Sequence, residues 1–174
     1  FFVDSVLAAP GMEGPFLLLF FVAAAGAAPG WGWLAERWGV RRTLLAAMGL
    51  AITSFVGALF LGPGDTLWFA AICLASGATV GADLTLLPAL FAARLARVSR
   101  GATDGFALWA FMSKFSLAIA AAVLLPALDT QSYVSGASND DQTLRVLSWL
   151  YAGVPCGLKL LAIGLLLAAP LEET

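Results

Sequence analysis

Long apolar runs separated by short polar joints set the pattern of this chain. Five runs reach the roughly 20 residues that an α-helix needs to cross about 30 Å of hydrocarbon. They cover about 15–34, 43–61, 67–91, 105–128 and 144–169, and residues 1–9 read as the last turns of a sixth. The joints carry turn residues: Pro10-Gly11, Gly62-Pro63-Gly64-Asp65, and a longer Ser-, Asn- and Asp-rich stretch over 129–142. No run alternates apolar and polar positions as a half-buried strand does, and only helices or closed barrels satisfy their backbone groups in lipid. The pattern predicts an all-α membrane protein, a multi-span transmembrane helix bundle. With an apolar segment at its start and no initiator Met, the chain reads as a piece of a longer one.

Composition removes the soluble alternative. Of 174 residues, 61 % are apolar and 11 % charged, and mean hydropathy is +0.92. An average soluble domain is about 25 % charged, so a soluble fold of this size would lack polar surface to cover itself. A net charge of −2 excludes a nucleic-acid binder that works by neutralising phosphates. Without His there is no His-ligated metal, His general base or His-based triad. No metal-ligand cluster or catalytic motif is present either, so the expectation is neither an enzyme nor a resident metal or cofactor. Cys73 and Cys156 lie in apolar stretches and read as small buried thiols.

Charge also orients the spans. Arg37, Arg41 and Arg42 fall in one joint and Arg94, Arg97 and Arg100 in the next but one. The intervening joints hold Glu13, Asp65, Asp129, Asp140 and Asp141, with Arg145 as their one base. The positive-inside rule places the six arginines, and with them the C-terminus, in the cytoplasm. An Ala- and Arg-leaning chain suits a bacterial inner (plasma) membrane.

Between the first two spans stands Gly32-Trp33-Leu34-Ala35-Glu36-Arg37-Trp38-Gly39-Val40-Arg41-Arg42. Gly39 permits a tight turn, Gly32 allows helices to approach closely, and Glu36 can pair with a nearby Arg or face a helix N-terminus. These residues read as a clasp that holds two helix ends together on the cytoplasmic face; the plainer reading is a basic loop serving topology alone. The stretch resembles the signature loop of the major facilitator superfamily, G-x-L-A-[DE]-R-x-G-x-[RK]-[RK], with Val40 where a base is common.

A second region narrows the resemblance. Gly77-Ala78-Thr79-Val80-Gly81-Ala82-Asp83 leads to Pro88 and an Arg-bearing joint, then to Asp104-Gly105 and to Lys114 inside the next span. This order is similar to the C-terminal half of the glycoside–pentoside–hexuronide:cation symporters, and the resemblance covers nearly the whole chain. It implies the C-terminal six-helix half of a twelve-helix transporter, five full spans plus the end of a sixth, facing an N-terminal half. It also implies symport of a small solute, most simply a sugar or glycoside, with H⁺ or Na⁺. The chain departs from that family at Ala92-Ala93-Arg94-Leu95-Ala96, where Ala93 and Ala96 replace an acidic pair. No cation role is carried over to those positions.

Charge inside a span costs about 2.5–3.5 kcal/mol on insertion scales and marks a functional candidate. Asp83, Lys114 and Lys159 qualify. Each lies about 15–16 Å from the cytoplasmic boundary at 1.5 Å per residue, the depth at which secondary transporters hold substrate and coupling ion. Asp83 and Lys114 sit on consecutive antiparallel spans, so the sequence favours a pair between them, with the ion displacing Lys114 during the cycle; a static ion pair is the plainer reading. Lys159, on the last span, reads as a residue that contacts other helices or snorkels rather than a functional one.

Trp109 can stack on a sugar or anchor the interface. Trp31, Trp33, Trp38, Trp68 and Trp149 fall near span ends and read as aromatic-belt residues. Thr79, Thr85, Ser113 and Ser116 can bind ligand or bond back to their helices. Gly77/Gly81 and Gly26/Gly30 are small-x-x-x-small pairs suited to close helix packing. Two other functions compete: transport of a lipid or drug-like solute on the same fold, and a non-transporting membrane sensor or assembly protein.

Overall fold

A computed structural model of the protein describes residues 3, 7, 9, 11–98, 102–129 and 149–168. Every element among them is helical: α1 Glu13–Trp38, α2 Val40–Ala58, α3 Thr66–Val98, α4 Ala102–Asp129, a π-helical turn Trp149–Gly153, and α5 Val154–Ala168. Five segments are long and apolar enough to cross a membrane, the last being Trp149–Ala168. The predicted fold class, an all-α membrane helix bundle, is therefore present. The polar stretch over 129–142, Asp129 apart, and most of residues 1–9 lie outside the described residues.

Two boundaries differ from the sequence expectation. The expected joint at 32–42 is helical except for one residue, Gly39, whose φ of 83° is costly for any residue with a Cβ. Its N–H closes α1 on the Ala35 carbonyl at 3.0 Å, and its own carbonyl receives both the N–H and the hydroxyl of Thr43 as α2 begins. Similarly, α3 continues seven residues beyond Phe91, so Arg94 and Arg97 occupy its last turns rather than a loop. Polar side chains do not end a helix when the backbone can keep its ladder, and 33 residues of α3 span about 50 Å, well over the hydrocarbon thickness.

The chain divides into two compact units, Phe1–Leu87 with Val134–Thr174, and Pro88–Tyr133. In the first, α2 is the central element, with α1, α5 and the π turn packed on it. Its inner face is made of Leu44, Ala47, Met48, Ala51 and Ala58, all buried. Helix α1 meets α3 where the latter has no side chains: a Cβ built on Gly77 or Gly81 would strike the Phe20 or Ala24 carbonyl. Two glycines one turn apart thus let the backbones touch. The same expectation fails for Gly26, Gly30 and Gly32, which face open space, because they lie off the side of α1 that meets α3.

The joint between α2 and α3 is the expected Gly-Pro-Gly-Asp turn. Asp65 accepts the Gly62 N–H at 2.9 Å and its carbonyl receives the Phe69 N–H at 3.0 Å, starting α3. An aromatic cluster joins four elements at this end: Phe16 packs edge-on against Phe69 at 4.9 Å, and Tyr151 lies 6.1 Å from Phe55 and 6.4 Å from Phe69. Pro155, at the second position of α5, cannot donate to the Tyr151 carbonyl and its ring crowds that turn, which accounts for the wide π turn just before it.

In the second unit α4 is exposed over most of residues 104–123. Gly105 leaves room for Leu95, and Phe91 packs edge-on against Phe106 at 5.5 Å and lies tilted against Trp109 at 5.0 Å.

Candidate functional site

Two of the midspan charges meet across non-consecutive helices. The ammonium of Lys159 on α5 donates to Oδ2 of Asp83 on α3. Of the two roles the sequence leaves to Lys159, helix contact or snorkelling, the structure shows the contact: it is the counter-cation of Asp83. Asp83 lies near the middle of the 33-residue α3, and Lys159 near the middle of the 20-residue span Trp149–Ala168. The depths estimated from chain position therefore match, while the lateral partner is decided by packing. Lys114 belongs to the second unit, where it is exposed on α4 and makes no ion pair with a described residue.

The pair is neither fully buried nor free: 21 % of the Asp83 side chain and 22 % of Lys159 are exposed. Its two oxygens differ. Oδ2 carries the ammonium, whereas Oδ1 is buried with no hydrogen-bond partner among the described residues. An ionised carboxylate oxygen in that position has lost water without gaining a donor. One turn before Asp83, the buried Thr79 hydroxyl donates to the Ser76 carbonyl at 2.7 Å. Among the described residues no group of three or more His, Cys, Asp or Glu could hold a metal ion.

Helix α5 is held against α2 in antiparallel register. The Cys156 thiol donates to the Ile52 carbonyl at 3.7 Å and the Arg41 guanidinium to the Leu167 carbonyl at 2.7 Å. Ile52 and Arg41 are as far apart on α2 as Cys156 and Leu167 are on α5. Leu167 is in the last turn of α5, where carbonyls lack helical donors, and a cation there also meets the negative end of the helix dipole. Both thiols are free, as expected.

The predicted clasp residues thus divide. Gly39 makes the break, and Arg41 ties the start of α2 to the end of α5. Arg37 lies over the Trp33 ring, 4.0 Å from its centroid. Glu36 and Arg42 are exposed, and Glu36 forms no ion pair with a described residue. Of the five tryptophans read as belt residues, Trp33, Trp38, Trp68 and Trp149 are exposed. Trp31 differs: its indole N–H donates to the Ala78 carbonyl at 2.7 Å, adding a bond beside the Gly77/Gly81 crossing.

Trp109 lines an open groove of about 360 Å³ with Phe91, Leu108, Met112, Ser113 and Ser116. Ser113 donates to the Trp109 carbonyl and Thr85 to that of Gly81, the plainer of the two roles open to them. The groove is apolar apart from two hydroxyls.

No match is found among curated proteins. The profile of a family described as MFS/sugar transport protein matches residues 1–173. Spans, a midspan ion pair and that match lead to one conclusion: this chain belongs to the MFS/sugar transport protein family of the major facilitator superfamily, membrane-embedded secondary transporters.

Proposed function

We propose that the complete transporter is a symporter that carries a small solute, a sugar or glycoside, by alternating access, driven by H⁺ or Na⁺. The chain supplies the C-terminal six-helix half, and an N-terminal half closes the substrate cavity against it. Its arginine-bearing helix ends and its C-terminus face the cytoplasm of a bacterial cell, with lipid around the outer surface. The observation that carries this reading is the Asp83–Lys159 pair. A charged pair at mid-depth costs more than an apolar contact and so marks a functional candidate, and a carboxylate that can exchange one cation for another is what ion coupling requires.

Asp83 is the coupling residue in this reading. Lys114 and Trp109 are substrate-side candidates, the cation for hydrogen bonds and the ring for stacking on a sugar face. The resemblance to the glycoside–pentoside–hexuronide:cation symporters supports cation symport and a role for Lys114, and it carries no role over to Asp83. The apolar groove beside Trp109 favours the second reading, a lipid or drug-like solute, because a sugar would find few hydrogen-bond partners there.

The test is uptake of a panel of radiolabelled mono- and disaccharides into proteoliposomes holding the complete transporter, under imposed proton or Na⁺ gradients. Accumulation that follows one gradient and is lost in Asp83→Asn is expected. Accumulation that survives this substitution removes Asp83 from coupling. Absence of sugar uptake under both gradients removes the sugar assignment.

A further inference from the structure

The geometry points to the groove beside Trp109 as the site of a resident membrane phospholipid of net negative charge, with one acyl chain along α4 and the phosphate at the arginine-bearing end of α3. This ligand is bound beside the transport path and is not the cargo. The inference rests on the reading of Lys114 as a substrate-side residue, and of the two substrate-side candidates it gives Trp109 to the lipid.

Helix α4 has two opposite faces. At 3.6 residues per turn, Leu108, Trp109, Met112, Ser113 and Ser116 share an arc of about 140°. Phe91 of α3 completes the groove they line, tilted against the indole at 5.0 Å. Lys114 lies about 170° from the middle of that arc. A solute held by Lys114 is therefore on the far side of the helix from the groove. All of these residues fall within the unit Pro88–Tyr133.

The lining selects an acyl chain over a sugar. The groove holds about 360 Å³ and is apolar apart from its two serines. The Ser113 hydroxyl is already spent on the Trp109 carbonyl at 2.9 Å. A sugar seated there would leave most of its hydroxyls unpaired, whereas a hydrocarbon chain asks for no partners. Depth agrees: Leu108 to Ser116 lie about 6–18 Å along the axis from Asp104, the reach of one leaflet in a hydrocarbon layer of about 30 Å. Trp109 stands toward the polar end of the groove, where membrane tryptophans concentrate.

Charge selects the headgroup. Arg94 and Arg97 follow Phe91 by three and six residues on α3, Arg94 half-buried and Arg97 exposed. Asp104, in the first turn of α4, is the acid that opposes them. Two arginines against one carboxylate leave this end positive among the described residues. Lys114 is ten residues further along and on the other face, and Asp129 closes the far end of α4. Guanidinium forks match phosphate oxygens, and basic clusters at helix ends recruit anionic lipids. A zwitterionic headgroup brings its own cation beside the phosphate, which the arginines repel.

Photo-crosslinking tests the site. The complete transporter is placed in phosphatidylcholine nanodiscs doped with a phosphatidylglycerol that carries a diazirine in one acyl chain, and labelled residues are mapped by mass spectrometry. Label is expected to concentrate on 108–116 and to be displaced by unlabelled phosphatidylglycerol, not by added phosphatidylcholine. Arg97→Gln should lower it about fivefold, the factor equal to about 1 kcal/mol per basic residue at an anionic surface. Ser116→Phe fills the groove without touching a charge and should abolish the label, so that one variant decides if the other does not fold. Lys114→Gln, on the opposite face, should leave it unchanged. Label spread evenly over the apolar helix surfaces, equal displacement by phosphatidylcholine, or loss of label in Lys114→Gln would each overturn the proposal.

Transport separates this failure from failure of the wider reading. Sugar accumulation with no label in the groove overturns the lipid site and leaves transport standing. Label in the groove without sugar uptake keeps the lipid site and removes the sugar assignment. Transfer of the labelled lipid between leaflets that is lost in Lys114→Gln makes the lipid cargo and overturns a resident one.

Discussion

Lys159 and Asp83 stand 76 positions apart in the chain, yet the ammonium of one meets a carboxylate oxygen of the other at mid-membrane depth. The contact joins α3 to α5, helices with no short connection between them. It leaves the second carboxylate oxygen without a donor among the described residues. Whatever moves α5 relative to α3 must break or exchange this ion pair.

Removing one member of the pair should cost more than removing both. A buried charge left without its partner is destabilising by about 3–5 kcal/mol; with a fifth of each side chain exposed, the lower end is expected. Asp83→Asn and Lys159→Gln should each lower the melting temperature in detergent. The double variant should recover most of the loss. Additive losses would show that the two side chains are not coupled.

The glycines on α3 and α1 should respond in opposite ways. Gly81→Ala places a methyl group against the Ala24 backbone and should cost about 1–3 kcal/mol, the usual range for overpacking. Gly26→Ala and Gly30→Ala meet open space and should be neutral or gain up to about 1 kcal/mol from helix propensity. Thermal unfolding of the three variants side by side checks the contrast.

Arg41 should control the end of α5. Arg41→Ala frees the Leu167 carbonyl, and amide hydrogen exchange over the last turn of α5 should rise severalfold. Arg37→Ala, which removes only a guanidinium from the Trp33 ring, should leave that exchange unchanged. Equal protection in both variants would assign the α2–α5 register to packing alone.

Trp31→Phe should weaken the α1–α3 crossing by about 0.5–1.5 kcal/mol, the net worth of one hydrogen bond. A smaller aromatic ring replaces the indole, and the N–H to the Ala78 carbonyl is lost. Trp38→Phe, at an exposed site on the same helix, should not change the melting temperature.

The sequence by itself determined which segments cross the membrane. Lipid offers the backbone no hydrogen bonds, so an apolar run of sufficient length has one structure available to it. It also determined the depth of Asp83 and Lys159, since the rise per residue is fixed in a helix, and it marked Gly77 and Gly81 as a close crossing. Tertiary structure alone decided which lysine Asp83 meets. Composition and spacing locate a residue along its helix axis, whereas the neighbour it faces depends on how non-consecutive helices pack. Adjacency points to Lys114, and the contact with Lys159 comes from packing that adjacency does not encode. The same reason separates Gly81, pressed on the Ala24 backbone, from Gly26 and Gly30, which carry the same spacing on a side that no helix covers. It also explains why Arg41, and not Glu36, makes the interhelical tie: the end of α5 reaches the start of α2 only in the folded bundle.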